Sequence, residues 1–162
     1  MIEYESNNDF SQAVHSMMAD KTITEFNPLR EQDVKVFALL CIRTDSEGEH
    51  VEGKGAPILC KKIAAPYEVL TKGKYLIIGE YYFWTHANEV AQKAALHRAL
   101  MQVEIEKDEE KKTVKFKTRK PEIQEFRSTV ARFGAWNDSL LDFREAFKTA
   151  AKALVEKHQP KA

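Results

Sequence analysis

Histidine and cysteine are the side chains best able to hold a metal or attack a carbonyl, so their spacing is the first thing to weigh. The chain has five histidines (His15, His50, His86, His97 and His158) and two cysteines (Cys41 and Cys60). A zinc site on a helix needs two imidazoles one turn apart, at i and i+4, plus a third ligand from elsewhere. No two histidines have that spacing. His86 and Glu89 stand three apart, and His97 lies eleven residues beyond His86. Eleven residues is three helical turns, about 16 Å, too far for both imidazoles to share one ion. His97 falls between Ala94 and Met101 on an apolar stripe, the setting of a hydrogen-bonded core histidine rather than a ligand.

Other chemistries find less support. Cys41 and Cys60 sit in the apolar runs FALLCIRT and PILCKKIAA and read as buried free thiols on strands. There is no Gly-x-Ser-x-Gly elbow, and Gly53 and Gly55 alone do not make a phosphate-cradling loop. The carboxylates of residues 104–112 lie in a highly charged run and read as a solvated face. One basic strip stands out: Lys111, Lys112, Lys115, Lys117, Arg119 and Lys120 put six cations in ten residues, with Phe116 interleaved. Cations alternating with aromatic rings can follow a single nucleic-acid strand. Alternate lysines also protect a strand edge, and Asp108, Glu109 and Glu110 precede the run.

The elements that must position these residues can be read from hydrophobic period. A first helix is capped by Asn8 or Asp9 and buries Phe10, Val14 and Met17. A turn follows at Asn27-Pro28. Residues 34–44, 56–65 and 75–79 read as strands, separated by a turn at residues 45–48 and by a connector with one helical turn at residues 66–73. The longest helix is expected over residues 87–105, capped by Thr85 and rich in alanine. Residues 106–112 form a charged loop and residues 113–118 a half-buried strand, the fourth. Pro121 opens a helix carrying Ile123, Phe126, Val130 and Phe133 and closed by Gly134. Asn137 or Asp138 starts a last helix with Leu140, Phe143, Phe147, Ala151 and Leu154 on one stripe. The predicted class is α+β: a small mixed sheet of about four strands on a central helix, with an N-terminal helix and two C-terminal helices.

Composition agrees with one ordinary domain over residues 1–162, with an ordered core at about residues 8–156. The hydrophobic share is 43%, and Lys plus Arg equals Asp plus Glu at 25 each. Zero net charge removes the global field of a dedicated duplex-DNA binder. No apolar stretch approaches the roughly 20 residues that span a bilayer. The opening MIEYESNNDF is polar and acidic, so a cytoplasmic protein without membrane contact is expected.

From about residue 34 to residue 147 the chain resembles the putative phage metallopeptidase family. The aromatic pair Phe83-Trp84 at the end of a hydrophobic strand, a long helix, a charged loop and a strand come in the family's order. The most specific stretch is Ile-x-Glu-Phe-x-x-x-Val-x-Arg-Phe-Gly-x-Trp, here Ile123, Glu125, Phe126, Val130, Arg132, Phe133, Gly134 and Trp136. The resemblance implies a zincin-like fold whose central helix carries His-Glu-x-x-His, the histidines holding zinc and the glutamate activating water. Laid on this helix, Arg98 stands at the first histidine, Ala99 at the glutamate and Gln102 at the second histidine. The third ligand falls on Pro121, followed by Glu122. A shift by one puts His97 in the first place but leaves Met101 in the second. The resemblance therefore implies a lost metal site, with no catalytic residue, metal or cofactor. Arg98 and Gln102, at i and i+4, are expected to share a helix face with Ala91 and Ala95, and Arg98 to pair with Glu122 or Glu125.

Three functional readings follow. The first is a catalytically inactive metallopeptidase-like phage or prophage protein that binds a host or phage protein, such as a host defence enzyme. Its surface would be the old cleft and the charged loop with Glu47, Glu49, His50, Glu52 and Lys54. An ordinary solvated loop is the blander account of those five residues. The second is a single-stranded nucleic-acid binder using the basic strip. The third is a residual zinc peptidase with rearranged ligands such as His86 and Glu89. The partner's identity and the oligomeric state are not encoded legibly in the sequence.

Overall fold

The computed structural model describes residues 1–120, 127–137, 140–142, 144, 145 and 148. Ile2–Glu5 forms strand β1, which pairs antiparallel with β2 (Val36–Arg43) from Ile2↔Arg43 to Glu5↔Leu40. A strand thus precedes the expected first helix. The signal was present in the alternation Ile2-Glu3-Tyr4-Glu5, but four exposed residues carry little of it. On its other side β2 pairs parallel with β4 (Tyr75–Glu80), and β3 (Ile58–Lys62) pairs antiparallel with the far edge of β4. The mixed sheet has the order β1-β2-β4-β3.

Period two sets which side chains meet the core. Val36, Ala38 and Leu40 lie beside Tyr75, Ile77 and Gly79, and Ile58 and Cys60 continue the same buried face. Helix α1 (Asn8–Ala19) packs on this face through Phe10, Val14 and Met17. Its cap is Asn7, one residue earlier than expected: the Asn7 side-chain oxygen accepts from the Phe10 amide at 2.9 Å. Gly79 is required here, since a Cβ on it would lie 2.6 Å from the Phe10 ring. Both cysteines are free and buried in the strands.

Several expected boundaries are corrected. The turn at Asn27-Pro28 is a short helix, α2 (Asn27–Glu31), whose early proline has no intrahelical bond to lose. The connector between β3 and β4 is a seven-residue helix, α3 (Ala65–Thr71). The helix expected over residues 87–105 is a shorter helix followed by a strand, with a separate helix ahead of it. Helix α4 (Tyr81–His86) holds Phe83 and Trp84, which therefore follow the strand rather than end it. The Thr85 hydroxyl donates to the Tyr81 carbonyl inside α4, and Asn88 caps α5 (Glu89–Leu100) by accepting from the Ala91 amide at 2.9 Å. Beyond Leu100 the alternation Val103-Glu104-Ile105-Glu106 makes β5 (Val103–Asp108), so residues 106–108 are strand and only residues 109–112 form the loop. β5 pairs with β6 (Thr113–Thr118) in a separate antiparallel hairpin. The fourth strand of the main sheet is β1, not residues 113–118.

Tyr75 fastens the hairpin to the sheet. Its buried hydroxyl donates to the Lys117 carbonyl at 2.7 Å and reaches the Glu104 carbonyl at 3.2 Å, and burial raises its pKa above the usual phenol range. Tyr75→Phe removes this donor and is expected to cost about 1–2 kcal/mol of unfolding free energy in urea titration. Hydrogen exchange should then quicken first at the amides of β5 and β6.

Helix α6 (Arg127–Phe133) ends at Gly134, whose φ is +69° and whose amide donates to the Val130 carbonyl at 2.8 Å. Asn137 caps the next turn, accepting from the Leu140 amide at 2.9 Å. The expected Pro121 start, Ile123, Phe126, Asp138, Phe143, Phe147, Ala151 and Leu154 lie outside the described residues. Among the described residues no helix is long and apolar enough to cross a membrane.

Candidate functional site

The end of α5 carries the positions that the resemblance singled out. Ala94, Ala95 and Ala99 are buried, and their small methyls let α5 lie close to α1 and to β3. His97 is fully buried with its ring between Phe26 and Phe133, at centroid distances of 5.3 and 5.5 Å. Its Nδ1 meets the Thr129 hydroxyl of α6 at 2.7 Å. Burial, the largest cause, brings its pKa down to about 4; nearby Glu25 opposes that shift and Arg132 adds to it. His97 is the core histidine expected from its stripe, neutral at ordinary pH.

Arg98 is half-buried near the end of α5, and Ala99 is buried beside it. Gln102 lies past the helix, because α5 stops at Leu100. The expected shared helix face of Arg98 and Gln102 is therefore corrected: the chain turns out of the helix to enter β5. The turn brings a different neighbour. The Gln102 carbonyl accepts from the Arg119 amide at 2.8 Å, and the Arg119 guanidinium donates to the Met101 carbonyl at 2.6 Å. The hairpin thus returns the chain to the end of α5 just before Pro121. Pro121 and Glu122, and the expected pairing of Arg98 with Glu122 or Glu125, lie outside the described residues.

These residue types do not fit zinc. Arginine is a cation with no free lone pair for a metal, alanine has no donor, and an amide is a poor substitute for imidazole. Among the described residues no three His, Cys, Asp or Glu side chains form a metal-binding group. The alternative ligands are engaged elsewhere. His86 stacks on Tyr82 at 4.2 Å with its Nδ1 2.8 Å from the Tyr82 carbonyl, and Glu89 pairs with Lys93.

The charged loop leaves β2 through a tight turn in which the Asp45 carboxylate accepts from the Glu47 and Glu49 amides. Glu47, Glu49, His50, Glu52 and Lys54 are all exposed. The loop is moored at two points that the sequence did not reveal. His50 lies against the Tyr81 ring at 4.8 Å, and a Cβ on Gly53 would come within 2.5 Å of the Glu80 carboxylate. Arg43 holds that carboxylate at 3.0 Å. The only sequence signal was an acidic residue ending an otherwise apolar strand.

The basic strip is spread along the hairpin and interleaved with acids. Lys115 lies opposite Glu106, Lys117 lies opposite Glu104 and pairs with Glu106 at 2.7 Å, and Arg119 is committed to Met101. Lys111 and Lys112 occupy the hairpin loop, and Lys120 follows the strand. Phe116 packs toward Tyr75 with Lys74 over its ring, while Trp84 meets Phe10 edge-on at 4.9 Å. The rings that could stack on bases are not arrayed along the cations, which weighs against the nucleic-acid reading.

A mixed sheet with an alanine-rich helix packed across it, and at that helix's end the positions that the resemblance assigns to a metal, make up an α+β domain. The family model described as putative phage metallopeptidase matches residues 2–156, and the chain belongs to that family. No match was found to a curated protein or to a solved structure.

Proposed function

We propose that this chain is a non-catalytic member of the family that acts by binding another protein. One observation carries the reading: a guanidinium, a methyl, an amide and a proline ring stand at Arg98, Ala99, Gln102 and Pro121, where the resemblance calls for imidazoles and a carboxylate. A fixed positive charge at the first ligand position repels a dication at contact distance. A methyl at the glutamate position cannot take a proton from water. One such change would weaken an enzyme; together they remove both ion and base.

What remains useful is shape and surface. The end of α5, the segment reaching Arg119 and the exposed loop with Glu47, Glu49, His50, Glu52 and Lys54 are the proposed contact region. The family's name supports a phage or prophage source, and with it a cytoplasmic role toward a host enzyme such as a defence nuclease.

Protein produced in zinc-supplemented medium is expected to carry no stoichiometric zinc and to release no product from fluorogenic peptides above buffer. Zinc near one equivalent, with hydrolysis abolished by a chelator, would overturn the reading.

A further inference from the structure

Helix α3 is mounted with its apolar side outward. At about 100° per residue, Pro66, Tyr67, Val69 and Leu70 occupy a continuous arc of about 160°, and Glu68 falls on the opposite side. The arc faces solvent: Tyr67 is 64% exposed and Val69 and Leu70 are each 79% exposed, while no residue of α3 is buried. A surface helix ordinarily turns such an arc to the core.

The inverted orientation is held from both ends. Glu68 turns inward and pairs with Lys74. The Thr71 hydroxyl donates to the Tyr67 carbonyl and accepts from the Gly73 amide, and Lys35 reaches the Thr71 carbonyl. Gly73 is pressed on Phe37, since a Cβ there would fall 2.2 Å from that ring. Rotating α3 to hide Val69 and Leu70 would break the Glu68–Lys74 pair.

Its surroundings are cationic. Lys61, on the same sheet face as Phe37, and Lys72 after α3 are exposed, and Glu68, turned inward, is the only carboxylate between residues 58 and 74. Leu59, on the edge strand, adds a further exposed apolar side chain.

We propose that the outward arc of α3, with Lys61 and Lys72, is a docking surface for an acidic segment of another protein that carries apolar side chains. The inference rests on the protein-binding reading but places the contact away from the former metal positions. The apolar arc supplies contact area, and the lysines select negative charge and disfavour basic partners. A bilayer suits the surface less well, because interfacial helices present an apolar face along several turns and α3 has seven residues.

The test uses the full chain as bait for a display library of random dodecapeptides. Enriched peptides should combine Asp or Glu with Leu, Ile or Phe. A synthesised lead should lose at least tenfold in affinity to the V69E/L70E variant and several-fold to K61E/K72E. These side chains are exposed, so the thermal midpoint should not move. Lack of enrichment, basic peptides, or a lead indifferent to V69E/L70E would overturn the proposal. So would phosphatidylserine vesicles binding the wild type but not V69E/L70E, or a dimer in sedimentation that V69E/L70E dissolves. A cellular partner retained by V69E/L70E would sink this surface while leaving the protein-binding function standing; failure of the wild type to retain any partner would count against that function itself.

Discussion

Phe10→Ala is expected to lower the free energy of unfolding by about 3–5 kcal/mol, a large part of the total for a domain of this size. Phe10 is fully buried, sits between α1 and the sheet, and meets Trp84 edge-on. Its ring lies against the bare Cα of Gly79. Removing the ring therefore opens a cavity between a helix and a strand that are both pinned by their neighbours, and such a site collapses poorly. The same contact predicts an interaction that a simple loss of bulk would not. Gly79→Ala in the wild type forces a methyl into the Phe10 ring and should cost about 1–3 kcal/mol. In the Phe10→Ala background the methyl has room, and most of that cost should vanish. Urea unfolding of the two single variants and the double variant measures both effects; additive costs would refute the close contact.

A second large effect concerns acid. His97 titrates at about 4 in the folded chain against 6.5 for an ordinary histidine. Below pH 6.5 the unfolded chain takes up a proton that the folded chain refuses, so stability falls as pH falls. The loss should reach about 2 kcal/mol between pH 7 and pH 5 and about 3 kcal/mol once the pH is below the folded value. Above pH 6.5 both states are neutral at this site and the effect disappears. His97→Gln keeps a group able to bond the Thr129 hydroxyl but cannot titrate, so its stability should change less between pH 7 and pH 5. Parallel curves for the two proteins would show that burial does not control this histidine. Because the His97–Thr129 bond joins α5 to α6, acid should loosen the contact between those helices first.

Much of this architecture is legible locally. The buried face of α1 follows from Phe10, Val14 and Met17, and β2 and β4 are short continuous apolar runs of the kind that buried strands show. Gly134 announces the end of α6 because glycine takes the positive φ found there without steric cost. Other features are masked by competing signals. The alanines of α5 invite extension of the helix in both directions, yet Asn88 offers a better cap than Thr85, and the alternation after Gln102 favours a strand once a partner is present. β1 is short and exposed, and only its pairing with β2 makes it a strand. At the candidate site, the residue types at positions 98, 99, 102 and 121 are read directly from the chain. That Gln102 leaves the helix and bonds Arg119 is not, because the contact requires β5 and β6 to close on each other.

Sequence alone determined the side-chain chemistry: no paired imidazoles, a histidine on an apolar stripe, and a cation where the resemblance places a metal ligand. Spacing along one chain is sufficient for that, because ligand sets and helix faces are local properties. Tertiary structure decided which strands became neighbours, that the hairpin returns beside the end of α5, and that α3 turns Tyr67, Val69 and Leu70 to water. Those outcomes depend on contacts such as Tyr75 with Lys117 and Gly73 with Phe37, made by residues distant in sequence. The free energy of such pairings belongs to the assembled fold, and no single segment carries it.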